Sequence, residues 1–144
     1  MESPLITVIT VSYNAASSIE QTIISVINQT YPHIEYIIID GGSTDNTVDI
    51  IKKYADKISY WVSEPDKGIY DAMNKGIKIA AGKYTLFMNV NDTFYASSSI
   101  AEVCNLMEKY DSQHDAYYGN VAVSNEYGLY IICLLYTSPS PRDG

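Results

Sequence analysis

Apolar residues alternate along this chain between two spacings. The runs Leu5 to Ser12 (LITVITVS) and Ile34 to Asp40 (IEYIIID) are short, β-branched and nearly continuous, the pattern of strands covered on both faces of a parallel sheet. Between them, Ile19, Ile23, Val26 and Ile27 recur at helical spacing, and Ser17 with Glu20 has the S-x-x-E form of a capping box. The unit then repeats. Thr44 or Asp45 is placed to cap a second helix whose face is Val48, Ile51 and Ala55, ahead of a strand at Ile58 to Val62. A third helix aligns Ile69, Ala72, Met73, Gly76, Ile77 and Ala80, stops at Gly82 and leads into a strand at Tyr84 to Asn89. A fourth, aligning Ile100, Val103, Met107 and Tyr110, leads to a strand near Ala116 to Val123. This alternation predicts an α/β fold: a mostly parallel sheet flanked by helices on both faces, with right-handed crossovers.

Ligands of such sheets bind at the carboxyl ends of the strands. Four polar clusters follow the predicted strands: Ser12 to Asn14, Asp40 to Asp45, Glu64 to Gly68, and Asn89 to Asp92. Each alone is ordinary turn chemistry; together they are expected to open onto one rim. Asp40 ends the second strand, where a dinucleotide-binding fold carries its ribose-binding acid, yet the first turn reads YNAASS and lacks G-x-G-x-x-G. A G-x-x-x-x-G-K-[ST] loop is missing as well. Phosphates held here would need a divalent cation bridging their oxygens, and Asp92 is the candidate ligand, with a turn and helix cap as its other reading.

Composition narrows the partners. The 144 residues are 47% hydrophobic and 18% charged, enough for one globular domain, and 17 acidic against 9 basic residues give a net charge of -8. That balance favours neither a nucleic-acid backbone nor an anionic membrane surface. The N-terminus MESPLITVIT has no basic region before its apolar stretch, and no run approaches the roughly 18 apolar residues of a spanning helix. A cytoplasmic protein without a transmembrane segment is expected. Cys104 and Cys133 form no disulfide framework, and His33 and His114, 81 positions apart, read as surface residues. Trp61 ends a strand and reads as core. From Cys133 the chain runs CLLYTSPSPRDG, and Cys133 to Asp143 resembles a translated sequencing adapter. Residues 1–132 are therefore expected to be the native domain and 133–144 a non-native tail, leaving the fold incomplete at its C-terminus.

The strings TVITVSYNAASSIEQTIISVINQTYPHIEYIIIDGGSTDNT and SEPDKGIYDAMNKGIKIAAGKYTLFMNVND, with DAYYGNV at Asp115 to Val121, resemble family 2 glycosyltransferases of the GT-A fold over about residues 5 to 121. The resemblance implies the Rossmann-like, nucleotide-sugar-binding half of an enzyme. Its reaction would be an inverting transfer of a sugar from a nucleotide diphosphate donor, most often a UDP-sugar, to an acceptor hydroxyl with Mg²⁺ or Mn²⁺. By motif, Tyr13 and Asp40 would lie at the base and ribose. Asp66 would line the donor site, with Lys67, Asp71, Asn74 and Asn91 as further candidates, and Asp92 would hold the metal. Bacterial polysaccharide assembly is the setting implied, with peripheral membrane association possible for a saccharide or lipid-linked acceptor.

Two departures from the family pattern bear on the site. The string MNVND has Asn91 where relatives commonly carry an acid, and DGGS has Gly41 where many carry a second acid that contacts the base. The general base of the family comes from a later segment, so no catalytic residue is assigned before Ile132 and this chain is expected not to transfer sugar. The alternatives are a non-catalytic nucleotide-sugar-binding module and a nucleotidyltransferase. The latter normally carries a Gly-rich basic loop after its first strand, which YNAASS does not supply.

Overall fold

A computed structural model describes residues 4–94, 96–110, 120–122 and 131–135. Its elements in chain order are β1 (Ile6–Ser12), α1 (Ile19–Ile27), β2 (Ile34–Asp40), α2 (Thr47–Lys53), a 3-10 turn (Ala55–Lys57), β3 (Tyr60–Ser63), α3 (Ile69–Ile79), β4 (Tyr84–Phe87), α4 (Ser99–Tyr110), β5 (Asn120–Ala122) and β6 (Ile131–Leu135). The sheet order is β3-β2-β1-β4-β6-β5. The first four strands are parallel, with Ile6 opposite both Ile34 and Tyr84 and Ile37 opposite Tyr60. β6 runs antiparallel to both β4 and β5.

The apolar runs of β1 and β2 are continuous because both faces are covered, as the sequence predicts. Ile6, Val8, Tyr36 and Ile38 join one core with Ile19, Ile23 and Val26 of α1, Ile51 of α2, and Ile100 and Cys104 of α4. Ile9, Ile37 and Ile39 form a second core with Ala72 of α3. Three helices thus lie over one face and α3 over the other. α3 comes close because position 76 is glycine: a Cβ there would stand 2.8 Å from Ile9 Cγ2, so a larger side chain would push the helix off the sheet.

Several local expectations are corrected. The capping box does not form: Ser18, not Ser17, is the N-cap of α1, and it makes no side-chain cap bond. Glu20 instead accepts from Lys53 Nζ at 2.8 Å and from the Tyr54 hydroxyl. The Lys53 bond, then the Tyr54 bond, hold its carboxyl below the usual range. A tertiary contact between α1 and α2 has displaced a local one. α2 ends before Ala55, which lies in the 3-10 turn, and β3 starts at Tyr60 rather than Ile58. β4 stops at Phe87, short of Asn89, and α3 leaves Ile69 and Ile77 of its expected apolar face 52% and 39% exposed.

Cys104 is buried, with its Sγ 3.5 Å from the Tyr31 hydroxyl, and His33 is exposed, as expected. Trp61 is half-buried at the margin of the larger core. His114, the side chains of Val103, Met107 and Tyr110, and Asp115 to Gly119 of the DAYYGNV string lie outside the described residues. β6 spans Ile131–Leu135. No helix among the described residues is long and apolar enough to cross a membrane.

Candidate functional site

Because β3, β2, β1 and β4 are parallel neighbours, their carboxyl ends share one edge. The four polar clusters singled out in the sequence meet there. Between them opens a cleft of about 720 Å³ whose lining includes Tyr13, Gly41, Pro65, Asp66, Ile69 and Val90. Tyr13 is 61% exposed in the lining of this cleft.

Asp40 is not on the open surface of that cleft. It is completely buried, and its carboxylate collects five donors. Oδ1 accepts from Ser12 Oγ at 2.6 Å and Ser43 Oγ at 2.7 Å. Oδ2 accepts from Ser63 Oγ at 2.8 Å, Ser43 N–H at 2.8 Å and Gly42 N–H at 3.1 Å. Burial alone would raise the pKa, but the bonds from Ser12, Ser43 and Ser63 together outweigh it and hold the carboxyl below its ordinary value. A buried charge is tolerable only when satisfied in this way. Asp40 ties the ends of β1 and β3 and the turn after β2 to a single anion.

The turns after β1 and β2 are laced in the same manner. Asn14 adopts a left-handed φ of 48°. Its N–H donates to Ser43 Oγ and its Oδ1 accepts from Thr44 N–H, both at 2.8 Å. Ala15 N–H donates to Thr47 Oγ1 at 2.8 Å and Ala16 N–H to Asp45 Oδ2 at 3.2 Å. Neither capping candidate is the N-cap of α2, which is Asn46 and makes no side-chain cap bond; Asp45, one residue earlier, accepts from Thr47 N–H through Oδ1 at 2.9 Å. The Thr47 hydroxyl is the chief cause of its lowered carboxyl pKa.

Asp66 differs from Asp40. Its Oδ1 accepts from Gly68 N–H at 3.0 Å, closing the turn into α3, while no donor among the described residues reaches Oδ2. That second oxygen lies 2.7 Å from where a Cβ on Gly41 would stand. The neighbouring candidates do not line the cleft. Asp71 accepts from Lys67 N–H at 2.9 Å and so fastens the first turn of α3, and Asn74 is exposed on that helix.

Val90 lines the cleft, and Asn91 and Asp92 follow it on an exposed turn. This turn is held from behind by a residue the sequence reading missed. Thr22 of α1 is completely buried, and its hydroxyl lies 2.7 Å from Val90 O, 2.8 Å from Asp92 O and 3.4 Å from Asn89 O. The available signal was a hydroxyl residue set beside Ile23 on the apolar face of α1. Among the described residues no group of three His, Cys, Asp or Glu side chains could hold a metal ion. Asn91 and Asp92 are the exposed oxygen-bearing side chains that this turn carries.

Comparison with known proteins identifies a family. The glycosyl transferase family 2 model matches residues 7–132. A PGL/p-HBAD biosynthesis glycosyltransferase of Mycobacterium bovis is 32% identical over 124 residues, covering 84% of this chain and 48% of that relative. The chain therefore spans about half the length of the curated relative it matches. Among solved structures, S. aureus TarS 1-349 in complex with UDP-GlcNAc superposes with a TM-score of 0.73 at 22% identity, covering 87% of this chain and 36% of that one. The mannosyltransferase PcManGT from Pyrobaculum calidifontis, in complex with GDP-Man and Mn²⁺, gives 0.71 at 22%, covering 88% and 37%. At that identity the structures establish the fold, which is the mostly parallel, helix-flanked sheet read from the sequence.

Proposed function

The chain belongs to glycosyl transferase family 2, and we propose on that footing that its strand-end cleft holds the nucleotide of a nucleotide-sugar donor whose sugar passes, with inversion, to an acceptor hydroxyl. The observation that carries this reading is the convergence of four strand-end clusters on one cleft with Tyr13 and Asp66 in its lining. The Tyr13 ring offers a stacking face for the base. Asp40 holds the cradle in shape from beneath, and Lys67, Asp71 and Asn74 contribute through the turn and helix that carry Asp66.

Two residues beyond Val90, Asp92 is assigned to the Mg²⁺ or Mn²⁺ that accompanies the diphosphate, with Asn91 beside it as a neutral oxygen donor. When bound, such a cation offsets the charge of the departing diphosphate, which a chain of net charge -8 does not otherwise do. The general base and the acceptor site are assigned to residues beyond Ile132. The 144-residue chain is therefore expected to bind donor without turning it over. The proposed setting is polysaccharide assembly in the cytoplasm, at or near a membrane that presents the acceptor.

Calorimetric titration of UDP-, GDP- and dTDP-sugars, with and without Mn²⁺, tests this directly. The expected result is saturable binding of at least one donor that weakens when Mn²⁺ is omitted. Failure of all three to bind in the presence of Mn²⁺ would remove the donor-site reading, and sugar transfer by this chain would remove the assignment of the base.

A further inference from the structure

One side of α1 grips the chain that joins β4 to α4. Thr22, Ser25 and Gln29 recur at i, i+3 and i+7, so they form a row along the helix and just past its end, beside the apolar stripe of Ile19, Ile23 and Val26. Their partners lie 67 to 71 positions later in the chain. Thr22 has a single hydroxyl hydrogen to share between the carbonyls of Val90 and Asp92, and Asp92 N–H closes the same turn onto Asn89 O at 2.9 Å. Ser25 Oγ accepts from Phe94 N–H at 3.3 Å while donating to Thr22 O at 2.9 Å. Gln29 uses both ends of its amide. Nε2 donates to Ala96 O at 2.9 Å and to Ser25 O at 3.0 Å, and Oε1 accepts from Ile100 N–H at 2.9 Å. That last bond satisfies a first-turn amide of α4, which has no partner within its own helix.

We propose that this row presets the rim turn Asn89 to Asp92 in its donor-binding form, and that Gln29, the member farthest along the segment from that turn, is a positioning residue for the site. This rests on the cleft being the nucleotide site. Asn89, Asn91 and Asp92 are exposed and Val90 alone of the turn lines the cleft, so the turn's own packing does little to fix it. Phe94 and Ile100 are buried in the larger core, but apolar burial is non-directional and leaves the course of the backbone between them to the row. The bonds from α1 all go to backbone atoms of this segment, so they set where the turn lies without engaging the side chains of Asn91 and Asp92. A turn held beforehand spares the cost of ordering it on binding. One released from the row would be in its binding form for only a fraction of the time, and apparent affinity falls by that fraction.

The test uses the full 144-residue chain. UDP, GDP and dTDP are titrated with Mn²⁺, and amide hydrogen exchange at Phe94 and Ile100 is followed with and without the tightest binder of the three. In the wild type both amides should be protected before nucleotide is added and should gain no more protection on binding than Val8 in β1, which reports the general effect of a ligand on unfolding. Gln29→Ala should weaken binding about 10-fold and speed exchange at Phe94. Thr22→Val should do the same, whereas Thr22→Ser, which keeps the hydroxyl, should bind within about 2-fold of wild type. Glu20→Ala is the control for stability: it frees α1 from Lys53 and Tyr54 and should lower stability while leaving affinity in place. Wild-type amides that become protected only when nucleotide binds overturn the inference, as does Gln29→Ala that binds like wild type or Glu20→Ala that weakens binding equally. Those outcomes leave the donor site standing, while a wild type that binds none of the three nucleotides overturns the donor site and this inference with it. The wild-type exchange measurement needs no variant, so a folding defect in Gln29→Ala does not shield the proposal.

Discussion

Asp40 and Asp66 end neighbouring strands of one sheet edge, yet the structure uses them in opposite ways. Asp40 is fully buried and spends both oxygens on five internal donors. Asp66 gives one oxygen to Gly68 N–H and leaves the other at the cleft. Asp92 stands further out on an exposed turn fixed by Thr22 through backbone carbonyls rather than through its own carboxylate. The division is one of construction against recognition. A carboxylate saturated from within holds the scaffold, and one with an unused lone pair can meet a ligand.

The largest effect should come from the construction side. In Asp40→Asn the amide turns two hydrogens toward a shell made wholly of donors, and unfolding in urea should show a loss of about 3 kcal/mol. The same residue sets an acid limit. Its pKa is depressed in the folded chain, so its contribution is complete above the unfolded value of about 3.9 and is lost as pH falls through the folded one. Wild-type stability should fall through that acid window, and the Asp40→Asn profile should be flatter there. If Asp40→Asn kept full stability but lost donor binding, the contrast with Asp66 would collapse.

Thr22→Val comes next. It removes the hydroxyl facing Val90 and Asp92 carbonyls while keeping the side chain's shape, and should cost about 1 kcal/mol while weakening Mn²⁺-dependent nucleotide binding through the displaced turn. Asp92→Ala is the smallest in stability, within about 0.5 kcal/mol because the residue is exposed. Its effect should instead be confined to the dependence of binding on Mn²⁺. A large loss of stability in Asp92→Ala would place that residue with Asp40.

Strand bounds were legible where packing imposes a pattern on the sequence itself. β2 runs from Ile34 to Asp40, as read, because both of its faces are buried and the apolar run ends at a charge. The capping box failed for the converse reason: Glu20 is held by Lys53, 33 positions away, and no local string encodes that choice. The four clusters were legible as a rim because parallel order fixes which strand ends meet. Their separate duties were not, since Asp40 and Asp66 differ in which oxygens are already used, a property of folded geometry. Gly41 is the sharpest example. In the sequence it reads as a missing acid, and in the structure as a position whose absent Cβ leaves room for the Asp66 carboxylate.

The serine-aspartate-serine row at the edge also bears on how the chain finds its alignment. Ser12 pairs with Asp40 and Asp40 with Ser63 across adjacent strands. Sliding β2 by two residues would return every isoleucine to the same side of the sheet, so the apolar residues by themselves tolerate that error. Such a slide into the sheet would carry the charge of Asp40 away from both serine hydroxyls, to the place between Thr10 and Trp61 that Ile38 occupies. The row therefore acts as an index mark, penalising near-miss pairings that hydrophobic burial would accept.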